Sequence, residues 1–260
     1  MKLWNLAFCA TVAAFGLAGA ALADDAAAPA APANPNAPVL AFNAGVTSDY
    51  LFRGIDQSLG PAGFAGADLT IGKVYFGTWV SQVDFDGNAG NGNHTLAEVD
   101  VYGGFKPVIG NLTLDIGGIG YLYPGQPSGS NENYFEAKFA GTLAVGAGTV
   151  GGVVYYSPNN FGNIGESVYY EGNASYTFKS KASLSGAVGY QALDKSKTGL
   201  SGYATWNVGV GYPITDHLGI DLRYIGTSSE AKKASFFGGE DKHAPFNAGD
   251  RIVATLKATF

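Results

Sequence analysis

Apolar and polar residues alternate along most of the chain from Val39 onward. In Leu40 to Phe52 the even positions read Leu40, Phe42, Ala44, Val46, Ser48, Tyr50 and Phe52, and the odd positions include Asn43, Thr47, Asp49 and Arg53. Successive side chains of a strand point to opposite faces, so this stretch predicts a strand with one apolar and one wet face. It places Asp49 and Arg53 together on the wet face near the strand's end, with Tyr50 and Phe52 on the apolar one.

The same period of two recurs down the chain. Val99 and Val101 alternate with Glu98 and Asp100, Leu114 and Ile116 with Asp115, and Phe135 and Phe139 with Glu136 and Lys138. Tyr170 and Tyr176 alternate with Glu171 and Asn173, Trp206 and Val208 with Thr205 and Asn207, and Ile220 and Leu222 with Asp221 and Arg223. Weaker strand patterns cover 63–71, 74–85, 149–157 and 183–191, and a last one covers 249–260. About twelve strands result, and no segment carries convincing helical periodicity.

The connections alternate in length. Long polar ones, such as "GIDQSLGPA", "DGNAGNGNHT" and "SSEAKKASFFGGEDKHAPFN", are followed by short turns such as Gly72-Lys73 and Gly146-Ala147. This predicts an all-β, antiparallel, up-and-down meander with both termini at the short-turn end. Short turns on one side and long loops on the other are the mark of an outer-membrane barrel. Strand lengths near the roughly 9–11 residues needed to cross the hydrocarbon agree with that reading. So do the charges in mid-strand and the aromatics near strand ends, at Tyr50, Phe52, Phe105, Tyr123, Phe178, Tyr190 and Tyr212. The fold class expected is a transmembrane β-barrel over 39–260.

The first 38 residues read differently. Lys2, an apolar run from Leu3 to about Leu17 and Ala21-Leu22-Ala23 form the pattern of a secretory signal peptide over 1–23. Residues 24–38, "DDAAAPAAPANPNAP", read as an Ala/Pro linker without a core-forming pattern. Export to the bacterial outer membrane follows as the expected location. The single cysteine, Cys9, falls inside the signal, so the exported chain holds no disulfide.

Composition narrows the function. The chain has 39 Gly, 16 Phe, 15 Tyr and 3 Trp, only 14% charged residues, and a net charge of −6. No basic concentration points to nucleic acid. The three histidines, His94, His217 and His243, stand in no H-x-S, HxxxH or H-x-H arrangement, so neither a wall-embedded hydrolase nor a metal centre is predicted. The calcium-like flavour of 84–93 lacks the closing acidic ligand, and Gly209-Val210-Gly211 has no helix after it to cradle a phosphate. The expectation is no enzyme, no metal and no cofactor.

The C-terminal "DRIVATLKATF" alternates cleanly and ends on Phe260. A terminal aromatic on such a strand resembles the signal read by the barrel-assembly machinery, which makes Phe260 the candidate assembly residue. "SDYLFRGIDQS" (48–58), "GTWVSQVDF" (77–85), "EVDVYGGF" (98–105) and "GYLYPG" (120–125) together resemble blocks of the TorF family of porin-type proteins, in the same order. Leu51 and Asp56 depart from the family signature. The resemblance implies an outer-membrane barrel of porin type, without naming a solute.

The wet faces then supply the site. Asp49, Arg53, Glu98, Asp100, Asp115, Glu136, Lys138, Glu171, Asp221 and Arg223 are the candidates for lining the lumen, with Asp68, Glu132, Lys179, Arg251 and Lys257 assigned to the same face. The acidic excess predicts a mild preference for cations in a passive channel for small hydrophilic solutes. Asp49 with Arg53, Glu136 with Lys138 and Asp221 with Arg223 are the expected pairs if opposite charges plug the interior instead. Outer-membrane lipid, the barrel-assembly machinery and small solutes are the partners expected, and the oligomeric state is left open. The alternative functions are a non-conducting barrel that binds a partner through its long loops, and a soluble periplasmic barrel.

Overall fold

A computed structural model describes residues 37–85, 95–233 and 245–260. The signal peptide, most of the 24–38 linker, His94, His243 and parts of the 84–93 and 227–248 loops lie outside the described residues.

Fifteen strands follow in order: β1 (Val39–Thr47), β2 (Leu51–Phe52), β3 (Ile55–Asp56), β4 (Ala62–Ile71), β5 (Val74–Gln82), β6 (Ala97–Phe105), β7 (Val108–Ile109), β8 (Leu112–Leu122), β9 (Tyr134–Val145), β10 (Gly148–Ser157), β11 (Ser167–Thr177), β12 (Ser183–Leu193), β13 (Gly202–Pro213), β14 (Leu218–Thr227) and β15 (Arg251–Thr259). β2 and β3 form a separate small sheet, and β7 is a two-residue extension beside β8. The remaining twelve are antiparallel to their neighbours and close on themselves through β6–β8 and β1–β15. The fold class read from the alternation is the one formed, including the five short turns and six long connections.

Closure satisfies every strand edge, which lipid demands because no water is present to bond a bare backbone. At the seam, the Phe42 and Phe260 backbones exchange two hydrogen bonds of 3.0 and 2.9 Å. His217 stacks on the Phe260 ring and its Nδ1 lies 2.9 Å from the Thr259 carbonyl.

The outer face is the apolar one. Ile252, Phe260 and Val188 are each about two-thirds exposed (71%, 68% and 67%), while Glu136 and Asp100 on inward faces have no exposed surface. This inverts a soluble barrel and is the arrangement of a transmembrane one. Phe105, Phe178 and Tyr212 are exposed at the short-turn end, and Tyr156 and Tyr170 at the other, so aromatic residues flank the apolar belt at both ends.

Inward glycines explain part of the unusual composition. They sit where a long side chain lies across the neighbouring strand. A Cβ on Gly77 would fall 2.2 Å from the Tyr102 ring, and one on Gly189 would fall 2.4 Å from the Tyr169 hydroxyl. The barrel interior is therefore packed by large polar side chains laid over glycines, a use of strand glycine for close approach.

Among the described residues, helix is confined to connections. Lys195–Thr198 forms a single turn, capped by the Asp194 carboxylate at its start and by left-handed Gly199 at its end. Ser229–Lys233 forms another in the last long loop.

Candidate functional site

The site lies inside the barrel at its long-loop end, and the chain itself occupies it. β1 stops at Thr47, and the chain turns inward as the hairpin β2–β3. Its two central residues, Arg53 and Gly54, both have positive φ (49° and 78°), the condition of a two-residue I′ hairpin turn. This overturns the expectation that Tyr50 and Phe52 face the lipid interface. Tyr50 is buried and donates to Glu98 at 2.7 Å, and Phe52 packs edge-on against Tyr121. Leu51 clusters with Ile225 and Val253. Period two cannot register a reversal that occurs within four residues. The signal that could have found it is the "FRGI" step, a bulky pair on either side of x-Gly.

At the hairpin's tip, the Arg53 guanidinium meets the wall. Nη1 and Nη2 donate to the two Glu136 carboxylate oxygens at 2.8 and 2.6 Å, and Nη1 also donates to Gln191 at 2.8 Å. The guanidinium carbon lies 4.6, 5.0 and 4.3 Å from the ring centres of Phe52, Tyr155 and Tyr169. A forked ion pair inside aromatic walls is the geometry that suits arginine and not lysine. The Tyr121 hydroxyl completes the Glu136 shell at 3.2 Å.

Tyrosine recurs as the partner of inward carboxylates. Tyr50 and Tyr123 donate to Glu98 at 2.7 and 2.6 Å, Tyr102 to Asp68 at 2.8 Å, Tyr75 to Asp115 at 2.8 Å, and Tyr169 to Glu171 at 2.8 Å. Phenols satisfy carboxyl lone pairs without bringing an opposing charge. Asp100 has not even that: both its carboxylate oxygens are buried without a hydrogen-bond partner among the described residues.

The charge pairs differ from two of the three expected. Asp221 and Arg223 do meet, at 3.1 Å. Glu136 pairs with Arg53, and Lys138 instead binds Asp115 at 2.7 Å. Asp49 meets Arg251 at 3.4 Å and not Arg53. Residues two apart on a strand are separated by about 7 Å of rise, so cross-strand or inserted partners win unless a long arginine folds back. Lys179, assigned to the wet face, is exposed in the short turn after β11. Arg251 and Lys257 are half-buried on β15, and Glu132 is buried in a long loop, taking a 2.6 Å hydrogen bond from Thr95.

Above the hairpin, Phe85, Tyr123, Phe161 and Phe246 converge from four different connections, with ring centres 4.7–5.5 Å apart. Burial is thus densest at the long-loop mouth. Toward the short-turn end, inward residues such as Asn43, Thr149, Ser175 and Lys257 are only half-buried.

The base of the hairpin is a polar clasp. Asn247 donates to Asp56 at 3.0 Å and also bonds Arg251, and Ser58 contacts Asp49 at 3.4 Å. Burial, with repulsion from and a hydrogen bond to Asp56, raises the Asp49 carboxyl from 3.8 to about 7 against the opposing pull of Arg251 and Ser58. Between those two values the closed clasp holds a proton that an open chain releases, so closure is favoured at the acid end and weakens as pH rises toward 7. With rates divided by the thiolate fraction of a free cysteine at each pH, a thiol placed at the hairpin tip should therefore be labelled more slowly at pH 5 than at pH 8. Asp49→Asn should flatten that dependence, and an unchanged profile would remove Asp49 from the clasp.

The chain belongs to a family described as a bacterial protein of unknown function (Gcw_chp), whose model matches residues 30–260. None of the curated proteins is similar to it in sequence. Among solved structures it resembles a KdgM porin, with TM-score 0.54 and 10% identity over 85% of this chain and 99% of that one. A KdgM porin in complex with disordered oligogalacturonate gives TM-score 0.53 at 10% identity over the same shares. Outer membrane phospholipase A from Escherichia coli gives 0.45 at 13% identity over 85% and 90%.

Proposed function

We propose that this member of the Gcw_chp family is a porin-like channel of the bacterial outer membrane, closed at its long-loop mouth by the β2–β3 hairpin and opened when that hairpin withdraws. The observation that carries this reading is the inversion of the barrel, apolar outside and charged inside, around a segment that is inserted and not woven into the wall. The TorF-like blocks at 48–58 and 77–85 point the same way. Residues 1–23 export the chain, lipid meets its outer face, and Phe260 at the closing seam is what the assembly machinery reads. The role is transport and not catalysis.

Small cations and neutral hydrophilic solutes are the cargo this interior suits. Glu98, Asp100 and Glu171 face inward without an ion-pair partner among the described residues. Oligogalacturonate, seen with a KdgM porin, is a polyanion that such an interior repels, so that ligand class is not carried across.

Planar-bilayer recording under a salt gradient tests the reading. The wild-type barrel should open rarely. A variant with residues 50–57 replaced by a Gly/Ser link should conduct steadily, with a cation-side reversal potential. The packing of the long-loop mouth supports a second reading, a non-conducting barrel acting through its loops. Insertion of both forms without current would favour that one.

A further inference from the structure

The wall around Arg53 is a complete receptor for a guanidinium group, built independently of the residue that fills it. Glu136, Tyr155, Tyr169 and Gln191 come from four successive strands, β9 to β12, whereas Arg53 comes from a hairpin outside the closed sheet. Tyr169 is itself fixed by Glu171 at 2.8 Å and Thr205 at 2.9 Å, and Gly189 leaves the room for its ring. Tyr121 donates to Glu136 Oε2, the oxygen that Arg53 Nη2 also holds. Carboxylate fork, amide oxygen and aromatic walls are thus set on strands of the closed sheet, and the partner from outside that sheet is the ligand-like one.

The occupant also fits incompletely. Its Nε–H is buried without an acceptor among the described residues, and its backbone is held in the left-handed region that non-glycine residues rarely adopt. Both features favour exchange for a free ligand that carries no such strain.

We propose that Arg53 is an internal stand-in for the cargo: the Glu136–Gln191–Tyr155–Tyr169 pocket is a lumenal binding site for guanidinium-bearing solutes, exposed when the hairpin leaves. The cargo assignment rests on the channel reading above, but the binding site does not.

The test uses the full barrel with Arg53→Ala and guanidinium ion itself as probe. The variant should unfold in urea at a lower midpoint than wild type, or refold in lower yield. Millimolar guanidinium should restore it at about a tenfold lower concentration than tetramethylammonium or potassium, because only the planar ion makes the charge-assisted fork. Adding Glu136→Gln should abolish that preference. In bilayers, guanidinium should block the Arg53→Ala current with the same selectivity. Restoration no better than with potassium would overturn the site, even if the variant conducts. Selective restoration in a variant that never conducts would keep the site and sink the channel reading instead. If Arg53→Ala refolds only with guanidinium present, that yield is itself the supporting result.

Discussion

Glu136→Ala should cost the barrel about 3–5 kcal/mol, the typical cost of stripping one partner from a buried ion pair. The reason lies less in the lost attraction than in what is left behind. Arg53 and Glu136 have side-chain exposures of 2% and 1%, so the truncated wall would confront an uncompensated guanidinium in an interior where little water reaches it. Gln191 and three rings would still touch that group, but none of them carries a full negative charge. Replacing both partners with apolar residues of similar size, Arg53→Met with Glu136→Leu, should be far milder, since it removes the desolvation cost together with the pair. Urea unfolding in detergent, followed by the gel shift between compact and unfolded barrel, gives both values. A single-variant cost below about 1 kcal/mol would put the pair in the range of exposed salt bridges and contradict its burial. The comparison also separates stability from function, because the double variant should fold yet lose selective guanidinium binding.

How much of this was legible in the chain follows from what period-two patterning can register. Strands such as β9 and β11 announce themselves because lipid on one side and charge on the other force strict alternation, and their order follows from loop lengths alone. Glu136 and Lys138 are correctly assigned to one face by that logic. Their partners are not, because pairing depends on which strand or loop lies beside them, and Arg53 reaches Glu136 across 83 residues of sequence. The hairpin is missed for a related reason. Tyr50, Leu51 and Phe52 look like a strand's continuing apolar face, but inside this barrel aromatic residues are also lumenal, at Tyr121, Tyr155 and Tyr169. Once tyrosine serves as a hydrogen-bond donor to carboxylates, an aromatic side chain no longer indicates lipid, and the face of Tyr50 has to be read from its partner, Glu98.

Asp100→Asn should move stability the other way, raising the unfolding free energy, because a buried amide costs less to desolvate than a buried carboxylate without partners. Asp100 stands opposite Trp79 on one side and Tyr121 on the other, two residues from the Glu98 carboxylate. Its backbone carbonyl takes the Thr78 hydroxyl at 2.9 Å, but neither carboxylate oxygen has a partner among the described residues. The amide keeps the shape and takes an ionisable group out of a wall already crowded with acids. A residue whose burial weakens the fold at an interior position is the one to test for a task in the lumen, the usual exchange between stability and activity. On the channel reading that task is to attract cations through the densely packed half of the barrel, so Asp100→Asn should shift the reversal potential toward zero while raising the urea midpoint. A higher midpoint with unchanged selectivity would detach the carboxylate from permeation, and a lower midpoint would mean that Asp100 holds a stabilising partner after all.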